Sequence, residues 1–188
     1  VNSPDSGDVS VLGIDHSQNS VGVRELVGIL PEKESPPSFL TPKEYFSFIA
    51  GIRELDAEAV LEDAKKWAER LSFADKLDVR NKDLSRGQQQ KVMLTQALIH
   101  EPDLVFIDEP LANLDPLMQE RVKKFISEYH KSGNTIVLCT HQLSVAEALC
   151  SQIGILHDGE IKREYTPEDE SEELLDVFEE AVNNENND

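Results

Sequence analysis

The chain has 188 residues, enough for one domain with a hydrophobic core but short for two. It carries 37 acidic residues against 18 basic ones, and the net charge of −19 disfavours nucleic acid and anionic lipid as direct partners. Its apolar runs fall far short of the roughly 20 residues that a membrane-spanning helix needs, so no direct membrane insertion is expected. The two cysteines predict free thiols in a reducing compartment.

The acidity has two open explanations. From Glu164 to the end there are 11 acidic residues and no Lys or Arg, which leaves a charge of −8 for the rest of the chain. One explanation is an acidic, solubilising tail on an ordinary body. The other is a halophile-like acidic surface adapted to molar salt, where screening removes the self-repulsion.

Strand-like runs rich in Val, Ile, Leu and Phe are predicted at residues 9–12, 26–30, 104–107, 135–140 and 153–157. Most of them are continuously apolar, as in strands buried on both faces of a parallel sheet. The last run continues through Asp158 and Gly159, a strong hairpin signal, into residues 160–165. The pattern predicts an α/β fold whose sheet ends on an antiparallel edge.

Between the second and third runs the pattern changes to helices with clear starts. Thr41 with Glu44, and Ser85 with Gln88, form capping boxes, and Asp56 is placed to cap a helix between them. A further helix is predicted at residues 116–131, and an acidic amphipathic helix after residue 167 is followed by a disordered end at 183–188. The sequence therefore predicts a helical insert in the middle of an α/β fold.

Two adjacent carboxylates, Asp108 and Glu109, follow the apolar run at 104–107. A buried strand would deliver them to its carboxyl end, where α/β sheets place their ligands. The first carboxylate suits Mg²⁺ shared with phosphate oxygens, and the second can accept a proton from a water that attacks phosphorus. Alone, an apolar strand followed by two acids at a turn is a common structural pattern.

The run Leu84-Ser85-Arg86-Gly87-Gln88-Gln89-Gln90 stands immediately before a predicted helix. A hydroxyl, a glycine and free N–H groups at a helix start form an anion site. The run resembles the signature motif of ABC-type ATPases, Leu-Ser-Gly-Gly-Gln, with Arg86 in place of the first glycine. The resemblance implies that Ser85, Arg86, Gly87 and Gln88 contact nucleotide held by a second subunit.

Other family motifs follow in the same order. Asp108 and Glu109 resemble the Walker B strand end with its catalytic Glu, and the segment around Asp115 resembles the D-loop at the dimer interface. His141, after the next predicted strand, resembles the switch histidine that senses the γ-phosphate. Glu32 stands where the family's Q-loop usually has Gln, as in some exporter branches.

The resemblance implies a partial RecA-like P-loop NTPase core with an inserted helical subdomain. The expected organisation is the front of the core at residues 1–36, the helical subdomain at 37–100, the rest of the core at 101–165, and an acidic helix and tail at 166–188. In this frame Asp108 holds Mg²⁺, Glu109 polarises the attacking water, and the nucleotide is ATP.

The family's phosphate-binding loop, Gly-x-x-x-x-Gly-Lys-Ser/Thr, is not found in these residues, because none of the nine glycines is followed by Lys. We expect the loop to be encoded upstream of Val1, and residues 1–188 alone to hydrolyse no ATP. Two alternatives stay open: a non-catalytic interaction module or truncated-gene product, and a soluble ABC ATPase that does not serve transport.

The resemblance also implies partners and a location. An integral membrane permease and a second ATPase subunit in a head-to-tail dimer are expected, at the cytoplasmic face of the membrane. In the family an outer groove of the helical subdomain receives the permease. Phe39, Tyr45, Phe46 and Phe48 are candidates either for that groove or for the core.

Overall fold

A computed structural model describes residues 4–112, 114–168 and 173–183. The chain is a mixed α/β protein that divides into two compact units, residues 1–137 and 138–188. Each unit is described separately below.

The first unit opens with a small hairpin, in place of the strand predicted at residues 9–12. Strand β1 (Ser10–Val11) pairs antiparallel with β2 (Ile14–Asp15), and positive φ angles at Leu12 and Gly13 make the turn between them. Among the described strands this pair forms a sheet of its own. The strand predicted at 9–12 is therefore present only at its middle two residues, because Leu12 takes a turn conformation.

A parallel pair of strands forms the centre of the first unit. Helix α1 (Ser20–Leu26) leads directly into β3 (Val27–Leu30), which pairs in parallel with β4 (Leu104–Asp108). Strand β5 (Thr135–Cys139) completes a sheet in the order β3-β4-β5. The predicted parallel sheet is confirmed for these strands, although the run at 26–30 begins one residue later because Leu26 ends α1. The predicted antiparallel edge is wrong, because the runs at 153–157 and 160–165 form a two-stranded sheet of their own among the described strands.

Helices occupy the chain between β3 and β4, as predicted. They are α2 (Pro42–Ile52), α3 (Ala57–Arg70) and α4 (Arg86–Leu98), with single 3₁₀ turns at Ala74–Lys76 and Asn81–Asp83. The capping boxes of α2 and α4 and the Asp56 cap of α3 are all formed. Local capping chemistry therefore fixes where each helix starts.

The four aromatic side chains near the start of α2 divide between core and surface. Tyr45 and Phe46 are buried, with Phe46 fully inaccessible, whereas Phe39 is 73% exposed and Phe48 is 56% exposed. The prediction of core packing is therefore correct for Tyr45 and Phe46, whereas Phe39 and Phe48 are exposed and can contact a partner.

Helix α5 (Pro116–Lys131) follows β4 and packs on the helical region. Asp115 caps its start, and Gly133, with a φ of 102°, follows its end as predicted. The ring of Trp67 on α3 meets Phe125 edge-on at 4.7 Å between ring centroids. Arg70 on α3 adds an ion pair to Glu128 at 2.8 Å.

The second unit is built on a hairpin of β6 (Ile153–His157) and β7 (Glu160–Tyr165). Positive φ angles at both Asp158 and Gly159 match the predicted two-residue turn. Helices α6 (Leu143–Leu149) and α7 (Leu174–Asn183) pack here. The buried core cluster comprises Ala146, Ile155, Tyr165, Leu174 and Val177.

The predicted acidic helix is thus present as α7, whereas α6 was not predicted. Of the end expected to be disordered, residues 184–188 lie outside the described residues, and Asn183 is the last residue of α7. Among the described helices, none is both long enough and apolar enough to cross a bilayer.

Candidate functional site

The carboxyl edge of the β3–β4 pair gathers three of the predicted acidic residues. Leu30 lies opposite Ile107, so the chain leaves the sheet at the same edge toward Glu32 and toward Asp108 and Glu109. Asp108 is exposed at the end of β4. Glu109 is only 8% exposed and has a φ of 48°, a left-handed conformation that is unfavourable for a residue with a side chain.

A side chain of α4 reaches this edge. The Gln90 amide nitrogen Nε2 lies 3.1 Å from the main-chain oxygen of Glu109 and 3.3 Å from that of Pro110. Both carbonyl oxygens can only accept hydrogen bonds, which fixes the amide orientation of Gln90. Helix α4 is therefore tied to the turn that carries Glu109.

The signature-like turn forms the start of α4. The Ser85 N–H donates to Gln88 Oε1 at 2.9 Å, and the Gln88 N–H donates to Ser85 Oγ at 3.3 Å. Ser85 and Arg86 are exposed, and Gly87 and Gln88 are half-buried. The arrangement leaves the turn at the surface, at the positive end of a helix dipole, which favours an anion.

A second glutamine holds the chain that leads into this turn. Gln89 Nε2 donates to the main-chain oxygen of Asn81 at 2.8 Å, while the Asn81 N–H donates to the Leu40 oxygen at 2.8 Å. Asn81 Nδ2 also donates to the Pro37 oxygen at 3.1 Å, and Asn81 is fully buried. The segment before α2 is thereby connected to the start of α4.

A cavity of about 510 Å³ lies between the chain after β3 and α4. Glu32 and Arg86 both line it, so the two residues that depart from the family motifs face one space. Gln89 and Gln90 also contribute to its wall, whereas Asp108 and Glu109 are not among its lining residues.

The loop after Glu109 continues to Asp115 at the start of α5. Asp115 Oδ1 accepts from the Met118 N–H at 3.0 Å, so its carboxylate serves as the helix cap. Gln119 Nε2 donates to the main-chain oxygens of Leu111 and Leu114, at 3.3 Å each. Asn113, part of the predicted D-loop, lies outside the described residues.

His141 belongs to the second unit, after the end of β5, and its side chain is exposed. The next residue, Gln142, donates its N–H to Thr140 Oγ1 at 3.2 Å. The switch role of His141 stays a prediction.

The sequence model of the ABC transporter family matches residues 1–112, more than half of the chain. The chain belongs to the ABC transporter family. It is 30% identical over 158 residues to an uncharacterized ABC transporter ATP-binding protein, BpOF4_11395, of Alkalihalophilus pseudofirmus, covering 83% of this chain and 57% of that protein. It is 30% identical over 166 residues to YbhF of Escherichia coli, a probable multidrug ABC transporter ATP-binding protein, covering 88% of this chain and 28% of YbhF.

Solved structures agree with this family assignment. The ATP-binding subunit of an ABC transporter superposes with a TM-score of 0.85 at 27% identity, over 95% of this chain and 77% of that one. The predicted RecA-like P-loop fold is therefore confirmed, and the family is one that binds nucleotide. The chain spans only about half or less of the two curated relatives named above.

Residues that hold the ABC motifs in place were not predicted as site residues. Asn81, Gln90 and Gln119 act through main-chain carbonyls and leave no motif of their own. A weak signal is available in hindsight: Gln90 and Gln119 are amides in the first two turns of helices that begin at a motif loop.

The carboxylates at the β4 edge fit a shared Mg²⁺ better than a metal held by protein alone. Among the described residues there is no group of three or more His, Cys, Asp or Glu side chains placed to hold an ion. Mg²⁺ in nucleotide sites commonly takes one or two carboxylates, with phosphate oxygens and waters as its other ligands. Asp108, exposed at the strand end, has the chemistry of such a ligand.

Proposed function

We propose that this chain serves as the ATP-binding and ATP-hydrolysing motor subunit of an ABC membrane transporter. The observation that carries the proposal is the edge of the β3–β4 sheet. Asp108 and Glu109 end one strand there, and a capped helix beginning at Ser85 is tied to the same edge through Gln90. The strand end offers a Mg²⁺ ligand and a carboxylate to position the attacking water, as phosphoryl transfer to water requires, and the helix start offers an anion site to a nucleotide on a second subunit.

Each acidic residue at the edge has a distinct proposed role. Asp108 would hold Mg²⁺, which supplies charge neutralisation to the phosphate oxygens. Glu109 would orient the attacking water and accept its proton, and its low exposure keeps competing water away from the carboxylate. Glu32 would approach the metal from the neighbouring strand.

Other residues would act across a dimer. Ser85, Arg86, Gly87 and Gln88 are proposed to contact ATP bound by a second ATPase subunit, with Asp115 at the interface between subunits. The exposure of Ser85 and Arg86 supports this role, because a side chain must be accessible to reach a nucleotide on another subunit. His141 is proposed to contact the γ-phosphate.

The proposal requires a phosphate-binding loop, which the printed residues do not contain. Reading the native gene upstream of the Val1 codon in the same frame tests the requirement. A Gly-x-x-x-x-Gly-Lys-Ser/Thr sequence there supports a working ATPase. A stop codon or unrelated sequence would favour a non-catalytic interaction module instead.

We also propose that the permease binds the surface around α2, which places the subunit at the cytoplasmic face of a membrane. Phe39, Phe48 and Ile52 are 73%, 56% and 62% exposed, and burial of such side chains stabilises an interface. The Glu32 form of the Q-loop favours an exporter. Co-purification with an integral membrane protein would support transport, and co-purification with ribosomes or DNA would support a non-transport ABC ATPase.

The role of Glu109 can be tested by Glu109→Gln in the full-length subunit. Removing a general base lowers the rate by a factor of about 10² to 10⁴, so we expect steady-state ATP hydrolysis to fall by at least about 100-fold. Binding of ATP, measured by equilibrium titration, should change only a few-fold because the substitution preserves the side-chain shape.

Glu120→Gln is the matched control, because Glu120 is an exposed acid that pairs with Lys123 at 2.8 Å. It should hydrolyse ATP at the wild-type rate. Wild-type hydrolysis by the Glu109→Gln subunit would remove the assignment of Glu109 as the base.

A further inference from the structure

Two glutamine side chains hold the main chain after β4. Gln90 on α4 donates to the oxygens of Glu109 and Pro110, at 3.1 Å and 3.3 Å. Gln119 on α5 donates to the oxygens of Leu111 and Leu114, both at 3.3 Å. Each amide therefore uses one nitrogen to bridge two carbonyl oxygens of the same loop. We refer to Gln90 and Gln119 as the glutamine clamp.

The clamp acts on a strained position. Glu109 has a φ of 48°, a conformation that is unfavourable for a residue with a side chain and persists only where the surroundings enforce it. The Ala112 N–H closes a turn onto the Glu109 oxygen at 3.2 Å, and Gln90 bonds the same oxygen. The conformation of Glu109 therefore depends on bonds made to its carbonyl group, in addition to any made by its side chain.

Burial makes these bonds necessary. Glu109, Pro110 and Leu111 are buried, so their carbonyl groups have limited access to water that could replace a lost donor. An apolar substitution at Gln90 removes one of the two donors to the Glu109 oxygen and the Gln90 donor to the Pro110 oxygen, and an apolar substitution at Gln119 removes a donor to the buried Leu111, so the main chain is held less firmly.

We propose that the glutamine clamp positions the main chain after β4 at residues 109–111 and at Leu114, with Gln90 setting the direction of the Glu109 carboxylate and Gln119 setting the approach to the α5 cap. Gln90 and Gln119 are positioning residues, since both act through main-chain oxygens. The inference rests on the proposed function, because it assigns the clamp to the proposed catalytic base.

The structural part is tested by amide hydrogen exchange of the full-length subunit, resolved to the segment 109–119. Loss of one hydrogen bond corresponds to about a ten-fold change in an opening equilibrium. We expect Gln90→Met to raise exchange of the Ala112 amide about ten-fold, and Gln119→Met to raise exchange near the start of α5. Amides in the middle of α2 should stay within about two-fold of the wild type.

A matched control and a restoring variant sharpen this test. Gln152 is an exposed glutamine that donates to the Glu164 carboxylate at 3.4 Å, so Gln152→Met should leave the segment 109–119 unchanged. Gln90→Lys preserves N–H donors on a chain of similar length. It should return the Ala112 amide toward wild-type protection, whereas Gln90→Met does not.

The catalytic part is tested by ATP hydrolysis in the same variants. A loss of orientation acts in the transition state more than on substrate binding, so kcat should fall about ten-fold in Gln90→Met while KM for ATP stays within about two-fold. A change confined to KM would overturn the positioning role.

The outcomes separate the two proposals. Wild-type exchange in both Met variants, or an increase spread evenly over the chain, overturns the clamp. If Gln90→Met does not fold, Gln119→Met provides the same measurement from the other side of the loop. A wild-type subunit that carries the phosphate loop yet hydrolyses no ATP overturns the proposed function, while the exchange result still decides whether the clamp holds the loop.

Discussion

His100 shows how a single half-buried side chain, just after the end of α4, binds the main chain of the sheet. Its Nε2 lies 3.0 Å from the Val27 oxygen at the start of β3, and this nitrogen must carry the proton because the carbonyl only accepts. Nδ1 is buried with no hydrogen-bond partner. Burial, with a smaller contribution from the charge of Arg53, lowers the pKa of His100 from 6.5 to about 4.

The lowered pKa makes the free energy of unfolding depend on pH. Between about pH 6.5 and 4 the unfolded chain protonates His100 while the folded chain keeps the ring neutral. The unfolded state therefore binds more protons, and stability falls as the pH falls through this window. Above pH 7 both states are neutral at this residue and the contribution disappears.

We expect His100→Gln to lose less stability than the wild type between pH 6.5 and 4.5. Glutamine keeps an Nε2 donor for the Val27 oxygen and does not titrate. Urea unfolding at each pH, followed by fluorescence of Trp67, the single tryptophan, measures the difference. His130→Gln at an exposed histidine is the control and should follow the wild type. Identical slopes for His100→Gln and the wild type would contradict the assignment.

At the scale of elements, the packing of α4 on β3 depends on Gly28. A Cβ atom placed at Gly28 would overlap the main-chain oxygen of Ala97 on α4 and would lie 2.9 Å from Pro102 Cγ. A main-chain oxygen inside a helix cannot turn away as a side chain can. The close approach of helix and strand therefore requires glycine at this position.

Gly28→Ala is expected to lower the free energy of unfolding by about 1–3 kcal/mol, the usual cost of overpacking a core. Gly51→Ala on α2 is the matched control, because nothing lies within 4 Å of its Cβ position. Alanine favours a helix over glycine, so the control should be neutral or more stable by up to about 1 kcal/mol. Urea unfolding measures the free energy of unfolding of both variants. Equal values for Gly28→Ala and Gly51→Ala would argue against this packing of α4 on β3.

Helices and strands whose bounds depend on residues close together in sequence were predicted well, and the others were not. The starts of α2, α3 and α4 were predicted correctly because each cap is formed by residues two or three apart. Helices α1 and α6 were missed because seven residues hold less than two full apolar repeats. The strand predicted at 9–12 is shorter than expected because a turn begins at Leu12.

Distance along the sequence also decides which site residues could be predicted. Asp108, Glu109 and Ser85 could be proposed because they sit in contiguous motifs whose order is characteristic of the ABC family. The clamp residue Gln90 could not, because the carbonyl oxygens that it binds lie 19 and 20 residues away along the chain. Only the fold brings such partners together.

At the scale of the whole molecule, the net charge of −19 is the dominant feature. The structure shows that part of the acidic tail is folded. The helix α7 is part of that tail, yet Leu174 and Val177 are buried in the core of the second unit. Arg163 on β7 also pairs with Glu180 on α7 at 3.2 Å. Three of the tail's 11 acids, Asp176, Glu179 and Glu180, therefore lie on a folded helix, where repulsion between acids opposes folding.

We expect the free energy of unfolding to rise as NaCl is increased from about 0.05 M to 1 M, because the screening length shortens from more than 10 Å to about 3 Å. Circular dichroism and Trp67 fluorescence across the salt series measure it. A flat or falling response would contradict the explanation by a surface adapted to molar salt and would favour a solubilising tail on an ordinary body.

Two pairs of substitutions test which part of the surface causes the salt dependence of stability. Asp176→Asn with Glu179→Gln neutralises exposed acids of α7, and Glu62→Gln with Glu69→Gln neutralises exposed acids of α3. If the tail causes the salt dependence, the α7 pair should flatten the response and the α3 pair should leave it unchanged. If the whole surface is adapted to salt, the two pairs should flatten it equally, because each removes two negative charges from a surface whose repulsion is shared.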